Sequence, residues 1–267
     1  MHSNRTAAIV LRQLYLLGGS PARVVPLFAW VAIDIVLWGF ITRYLNSVAA
    51  SGFNFVPAIL GAVLLWDFMV RVMQGITTTF FEDVWTRNFL NFFGTPLTIS
   101  EYVLGLVLSS IATSSVGLVV MLVLASAAFG LHFLAYGLML VPFLLVLFLF
   151  GIALGITGCA IVLRLGPVAE WFIWPIPALL SPFAGVFYPL STLPQRMRYL
   201  SRLLPASYVF EGMRAVVSSR TMPGDQLFWG FGLAVLYIVL AGRFFAYIFH
   251  HAVRNGLIAR YSAESVS

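Results

Sequence analysis

The chain has 267 residues, of which 61% are hydrophobic and 9% are charged. Because a soluble domain carries about 25% charged residues, this composition excludes an ordinary water-soluble fold and indicates an integral membrane protein. All 15 basic residues are arginine, which excludes a phosphate-binding loop or a Schiff base that depends on lysine. The formal net charge of +6 agrees with arginines near the ends of membrane spans and does not indicate a nucleic-acid partner.

The N-terminal segment, residues 1–23, mixes basic and apolar side chains. Arg5 and Arg12 stand among apolar residues, and Gly18-Gly19 and Pro21 then interrupt the pattern. The apolar residues are Ile9, Leu11, Leu14, Tyr15 and Leu16. This pattern predicts an amphipathic helix that lies at the membrane surface before the first span.

Windows of about 20 apolar residues predict membrane-crossing helices. Six windows occur, and they cover residues 24–42, 53–79, 102–128, 134–163, 168–188 and 228–249. The predicted fold is therefore an all-α integral membrane protein with six transmembrane helices. No repeat or low-complexity linker divides the sequence, which predicts one domain over residues 1–267.

Three charged residues fall within the first two predicted spans, namely Asp34, Asp67 and Arg71. A charge at mid-bilayer costs about 2.5–3.5 kcal/mol on insertion scales, so each should face protein or water. Asp67 and Arg71 are four residues apart and share one helical face. Two interpretations stay open: an internal ion pair that holds the bundle together, or a polar element of a transport path.

A short helix is predicted over residues 82–97, between the second and third spans. Trp85, Phe89 and Phe92 recur there at i, i+4 and i+7, which places them on one apolar stripe. The charged residues beside this stripe are Glu82, Asp83 and Arg87. A T-x-x-E capping box, residues 98–101, is predicted to start the third span.

The fifth predicted span is interrupted by proline. The prolines within and just after it are Pro175, Pro177, Pro182, Pro189 and Pro194. Each removes a backbone donor, and the freed carbonyls must meet protein or water, so the span should line an interface or a cavity. Its aromatic residues fit a transport path, or packing at a dimer interface and a membrane-surface belt. They are Trp171, Trp174, Phe183, Phe187 and Tyr188.

The run LSPFAGVFYPLSTLPQRMRYLSRLLPASYVFEGMRAVV, residues 180–217, resembles the C-terminal signature of the ABC-2 family of ATP-binding-cassette exporter permeases. In that family a broken span ends in an F-Y-P…L-P turn, and an L-P…Y…E-G-x-R helix follows. The length, the six predicted spans, the amphipathic N-terminal helix and the polar segment after span two are also similar to the family.

The resemblance implies a multi-pass protein of the bacterial inner membrane with both termini in the cytoplasm. It identifies residues 82–97 as a cytoplasmic coupling helix, whose aromatic stripe would dock on an ATP-hydrolysing partner while Glu82, Asp83 and Arg87 set the register. A helix lying flat on lipid is the alternative. The resemblance also implies that residues 189–226 form an extracytoplasmic, re-entrant region, although their arginines would favour the cytoplasm.

The resemblance further implies a homodimer of permeases, joined mainly through spans one and five, with two copies of a separate ATPase subunit. ATP and Mg would be bound by that partner, and this chain would be a non-catalytic exporter subunit for a glycolipid, a polysaccharide or a drug-like lipid. The alternative is an ion-coupled secondary transporter, for which inverted repeats are typical; the sequence shows none. The sequence offers no catalytic or metal-binding constellation.

Overall fold

The computed structural model of the chain describes residues 3–48, 56–86, 91–92, 94–131, 138, 140–219 and 224–255. The first half of this part is built from long helices. They are α1 (Ser3–Gly18), α2 (Pro21–Val48), a π-helical turn (Val56–Leu60) that leads into α3 (Gly61–Trp85), and α4 (Ile99–Phe129).

The second half alternates long and short helices. A long α5 (Leu140–Leu165) is followed by a 3-10 turn (Pro167–Ala169), α6 (Glu170–Ile173), α7 (Ile176–Ala184), a second 3-10 turn (Leu190–Thr192), α8 (Gln195–Ser201), α9 (Pro205–Ser219) and α10 (Gly224–Arg254). The predicted all-α class is confirmed for the described residues.

Five helices in the described part are long and apolar enough to cross a membrane. They correspond to predicted spans one, two, three, four and six and cover Phe28–Val48, Val56–Trp85, Ile99–Phe129, Leu140–Leu165 and Gly224–Arg254. The stretch predicted as span five, residues 168–188, is instead divided among a 3-10 turn, α6 and α7. A membrane crossing by predicted span five therefore stays a prediction.

Proline and glycine explain where this stretch is divided. The helix stops at residues 174–175 and resumes at Ile176 after Pro175, because proline supplies no backbone N–H. The resumed helix ends at Gly185, whose φ of 74° lies in the left-handed region that glycine tolerates. The predicted interruption of this span is therefore present.

The core of the bundle lies around α3, which packs between α4 and α5, and α10 packs on α5. Close approach of α5 to α3 depends on Gly151, where an added Cβ would lie 2.7 Å from the carbonyl oxygen of Met69. Small residues allow membrane helices to approach in this way. On α9, Phe210 is buried and its ring lies 6.2 Å from the ring of Trp66 on α3, so α9 is anchored against the same core.

The face of α2 differs from this core because it carries large apolar side chains outward. The exposed members are Trp30, Ile33, Val36, Leu37, Phe40 and Tyr44. An apolar surface of this extent on a membrane helix suits lipid or a second protein chain.

Candidate functional site

A buried carboxylate joins three helices at the end of the bundle where α3 stops. Asp83 is 0% exposed, and both of its oxygens accept hydrogen bonds. Arg12 of α1 donates Nη2 to Oδ1 at 2.5 Å, and Tyr102 of α4 donates its hydroxyl to Oδ2 at 2.7 Å. Since a buried charge is tolerated when it is paired and hydrogen-bonded, this carboxylate ties α1, α3 and α4 to one another.

The first turn of α4 adds a second connection to α1. The predicted capping box is confirmed: Thr98 Oγ1 accepts from the Glu101 amide at 3.4 Å, and the Thr98 amide donates to Glu101 Oε2 at 3.1 Å. Glu101 also forms an ion pair with Arg5 at 3.7 Å, and Arg5 donates to the carbonyl of Pro96. Arg5 and Arg12 are seven residues apart, about two helical turns, so both project from one face of α1.

Phe92 lies in the segment that connects α3 to α4 and packs inward against these groups. Its ring centroid is 5.5 Å from that of Tyr102, and the Arg12 guanidinium carbon lies 5.1 Å from the Phe92 ring. That geometry is a cation–π contact. We call the set Arg5, Arg12, Asp83, Phe92, Glu101 and Tyr102 the α1 junction.

The structure corrects the predicted boundary of the short helix over residues 82–97. Glu82, Asp83 and Trp85 belong to the last turn of α3, which ends at Trp85 with Thr86 as its C-cap, because no helix-breaking residue precedes that position. Trp85 is 55% exposed and is available at the surface, whereas Asp83 is enclosed and presents no side-chain surface to a partner. Arg87 and Phe89 lie outside the described residues.

The charges of the first two spans come together on a cavity of about 570 Å³ between α2, α3 and α4. Asp34 reaches it from α2, and Asp67 and Arg71 reach it from α3. The other lining residues are Phe28, Trp30, Val70, Gln74, Gly75, Thr78, Thr113, Ser114, Gly117 and Trp174. We call this space the intramembrane cavity. The cavity thus brings a second carboxyl group, that of Asp34, to the Asp67 and Arg71 pair, and the two interpretations of that pair stay predictions.

The Pro-broken region is fastened to α9 by Glu211 and Arg214. Arg214 Nη2 donates to the carbonyl of Tyr188 at 2.8 Å and to that of Gly185, and it lies 3.3 Å from Glu211 Oε1. The same Glu211 oxygen accepts from the Leu190 amide at 2.9 Å. Burial lowers the pKa of the Arg214 guanidinium, and the charge of Glu211 opposes that shift. These contacts give the E-G-x-R motif a structural role that its i, i+3 spacing alone did not indicate.

The aromatic residues of the broken span do not converge on one path. Trp174 lines the intramembrane cavity, and Trp171 is largely exposed. Phe187 and Tyr188 line a separate cavity of about 540 Å³ beside α9, and the Phe187 ring stacks on Trp38 of α2 at 5.0 Å. Phe183 packs partly buried against the core near α9.

Sequence reasoning missed Arg12, Tyr102 and Glu101 as parts of the α1 junction. Arg12 and Asp83 are 71 positions apart, and no local pattern joins them. A signal was available for Tyr102, because a tyrosine at the start of a long apolar helix needs a partner for its hydroxyl once it is buried.

A family model described as ABC-2 type transporter matches residues 21–217, which runs from the first residue of α2 into the last turns of α9. No curated protein sequence matches the chain significantly.

Proposed function

The chain belongs to the ABC-2 type transporter family and is a membrane permease component, and from that premise we propose that it exports an amphiphilic substrate from the cytoplasm or the inner leaflet. The substrate is a glycolipid, a polysaccharide or a drug-like lipid. ATP, with Mg, is bound and hydrolysed by a separate subunit in two copies. In this proposal the permease is a homodimer in a bacterial inner membrane with both termini in the cytoplasm.

The α1 junction is the observation that carries this proposal. An exporter driven by a separate subunit needs a site at which a movement of that subunit, outside the membrane, is transmitted to several spans together. Asp83 connects the end of α3 to α1 through Arg12 and to α4 through Tyr102. Because both hydrogen bonds end on one enclosed carboxylate, a displacement of the connecting segment is expected to move the three helices together.

The proposed docking surface for the ATPase subunit adjoins this junction. Trp85 is exposed on the last turn of α3, and we assign Phe89, Arg87 and Glu82 to the same surface. Phe92 and Asp83 act from the inner side of the segment, where Phe92 contacts Arg12 and Tyr102. Asp83 is therefore a positioning residue and not a contact residue.

Co-purification tests this assignment. Tagged chain is co-expressed with its ATPase subunit, and the amount of ATPase retained is compared for the native chain, Trp85→Ala and Trp229→Ala. Trp229 is the matched control because it is similarly exposed but lies in the first turns of α10, far along the chain from the connecting segment. Trp85→Ala should release the ATPase and Trp229→Ala should retain it; equal retention by both variants would contradict the docking surface.

The intramembrane cavity favours one other function, an ion-coupled secondary transporter, because acidic groups within spans are typical of ion pathways. The two functions differ in their energy source. Transport into inverted vesicles that stops with an ATPase inhibitor and continues when ion gradients are collapsed supports the exporter. The opposite pattern supports the ion-coupled transporter.

A further inference from the structure

The described lining of the intramembrane cavity has more acidic than basic side chains. Asp34 and Asp67 contribute two carboxyl groups, whereas Arg71 contributes one guanidinium, and these three are the charged residues among the described lining. Low-dielectric surroundings strengthen the interaction of such charges with anything that enters. A cationic group is therefore the occupant that the charge balance favours.

Two buried oxygens of the cavity lining, one on a hydroxyl and one on a carboxylate, lack hydrogen-bond partners among the described residues. Ser114 is 3% exposed, and its Oγ has no partner. Asp67 Oδ2 is likewise buried without one. A buried polar group without a partner costs free energy, so a ligand that donates N–H groups to these oxygens would reduce that cost.

Neighbouring hydroxyls strengthen the acceptor character of this cavity. Thr78 donates its hydroxyl to the Gln74 carbonyl at 2.6 Å, and Thr113 donates to the Ser109 carbonyl at 3.1 Å. Since each hydrogen is already engaged, the lone pairs of these oxygens are the part that remains to meet a ligand. Oxygens whose hydrogens are engaged accept from a donor and do not favour an anion.

The rest of the wall is aromatic and apolar. Phe28, Trp30 and Trp174 border the cavity, and aromatic faces attract organic cations and accommodate apolar bodies. A volume of about 570 Å³ falls within the range of small-molecule pockets, about 300–1,000 Å³. The wall therefore fits a molecule with one charged end and one apolar part.

We propose that the intramembrane cavity binds the ammonium group of an amphiphilic amine, with Asp67 as the counter-ion and Ser114 as a hydrogen-bond acceptor. This inference rests on the proposed function, because it names the class of substrate that the permease moves. It selects amine-bearing lipids, amino-sugar glycolipids and cationic drug-like molecules over neutral glycans.

Binding of three probes of one shape tests the proposal. The purified permease in nanodiscs, without ATP or the ATPase subunit, is dialysed against 1-naphthylmethylamine, 1-naphthylmethanol or 1-naphthoate, and uptake by empty nanodiscs is subtracted. The amine should bind at least about tenfold tighter than the alcohol. One charge interaction in a partly buried site contributes more free energy than a tenfold difference in affinity requires. Equal binding of the amine, the alcohol and the carboxylate would overturn the proposal.

Variants locate the site. Asp67→Asn keeps the shape and removes the charge, so the preference for the amine over the alcohol should disappear, and Asp34→Asn should reduce it. Ser114→Ala should weaken amine binding about fivefold through the lost acceptor. Asp225→Asn is the matched control, because Asp225 is an exposed carboxylate in the first turn of α10, and it should change nothing. An unchanged preference for the amine in both Asp67→Asn and Asp34→Asn would overturn the assignment. If neither variant folds, amine binding by Ser114→Ala decides, and unchanged binding there would overturn it.

Sodium distinguishes an organic from an inorganic cation. Replacing potassium chloride by sodium chloride at constant ionic strength should leave amine binding unchanged. Displacement by sodium would overturn the amine assignment and favour the ion-coupled transporter. The binding assay contains no ATPase subunit, so a failure to bind the amine does not contradict the exporter assignment. A failed co-purification likewise does not contradict the amine site.

Discussion

Asp83 and Asp67 are carboxylates on the same helix, α3, and the structure treats them in opposite ways. Asp83 is fully enclosed, and Arg12 and Tyr102 satisfy both of its oxygens. Asp67 lies sixteen positions earlier, borders a cavity and keeps one oxygen without a described partner. The enclosed carboxylate joins three helices, whereas in our proposal the carboxylate at the cavity binds a ligand.

The largest expected effect on stability comes from disrupting the contacts of the enclosed Asp83 carboxylate. Asp83→Asn leaves the Arg12 guanidinium without its counter-ion, and removing one partner of a buried pair is strongly destabilising. We expect the free energy of unfolding to fall by about 3 kcal/mol, at the lower end for such pairs because Arg12 is partly exposed. Thermal unfolding in detergent measures it. Asp225→Asn is the control, and equal stability of the two variants would remove the distinction between Asp83 and a surface carboxylate.

A single hydroxyl sharpens the same comparison. Tyr102→Phe leaves Asp83 Oδ2 buried without its donor, which should cost about 2 kcal/mol. In a double-mutant cycle with Asp83→Asn the two losses should be less than additive, because both changes act on one hydrogen bond. Full additivity in the same unfolding measurement would show that the hydroxyl and the carboxylate are energetically independent.

Local capping contributes less than the long-range contact. Thr98→Ala removes the side-chain acceptor for the Glu101 amide at the start of α4, and loss of an N-cap costs about 1 kcal/mol. Thr98→Ser keeps the acceptor and should retain nearly full stability. A loss for Thr98→Ala as large as that for Tyr102→Phe would contradict the order of the two effects.

The smallest effect is expected at the open site. Asp67→Asn removes a carboxylate whose Oδ2 has no described partner. The free energy of unfolding should therefore change by about 1 kcal/mol or less, and we expect a small increase. The same unfolding assay applies. Destabilisation as large as that of Asp83→Asn would mean that Asp67 is a structural carboxylate, and the comparison would fail.

The sequence predicted what depends on local pattern. The capping box at Thr98 and Glu101 follows from a three-residue spacing, and the interruption at Pro175 follows from a missing backbone donor. Apolar windows also located five long helices. These features are set by a few neighbouring residues, so no knowledge of the tertiary fold is needed to find them.

Long-range partners were beyond local pattern. Arg12 belongs to a segment recognised only as amphipathic, yet it contacts Asp83, 71 positions away. The predicted start of the 82–97 helix was wrong for the complementary reason. The polarity of Glu82 and Asp83 suggested an end to the span, but α3 continues to Trp85, because the enclosed Asp83 carboxylate is paired with Arg12 and hydrogen-bonded by Tyr102. The grouping of Asp34, Asp67 and Ser114 likewise depends on how α2, α3 and α4 pack.

The most direct test of the account is the amount of substrate transported per ATP hydrolysed by the permease–ATPase complex when Tyr102 is replaced by Phe. Tyr15→Phe is the matched control, because Tyr15 is an exposed tyrosine on α1. If the α1 junction passes movement from the ATPase subunit to α3 and α4, Tyr102→Phe should hydrolyse ATP and transport less per ATP, whereas Tyr15→Phe should keep the native ratio. The contradicting result is a Tyr102→Phe variant that loses stability as expected but still transports the native amount of substrate per ATP. That result would mean that the junction has no role in coupling.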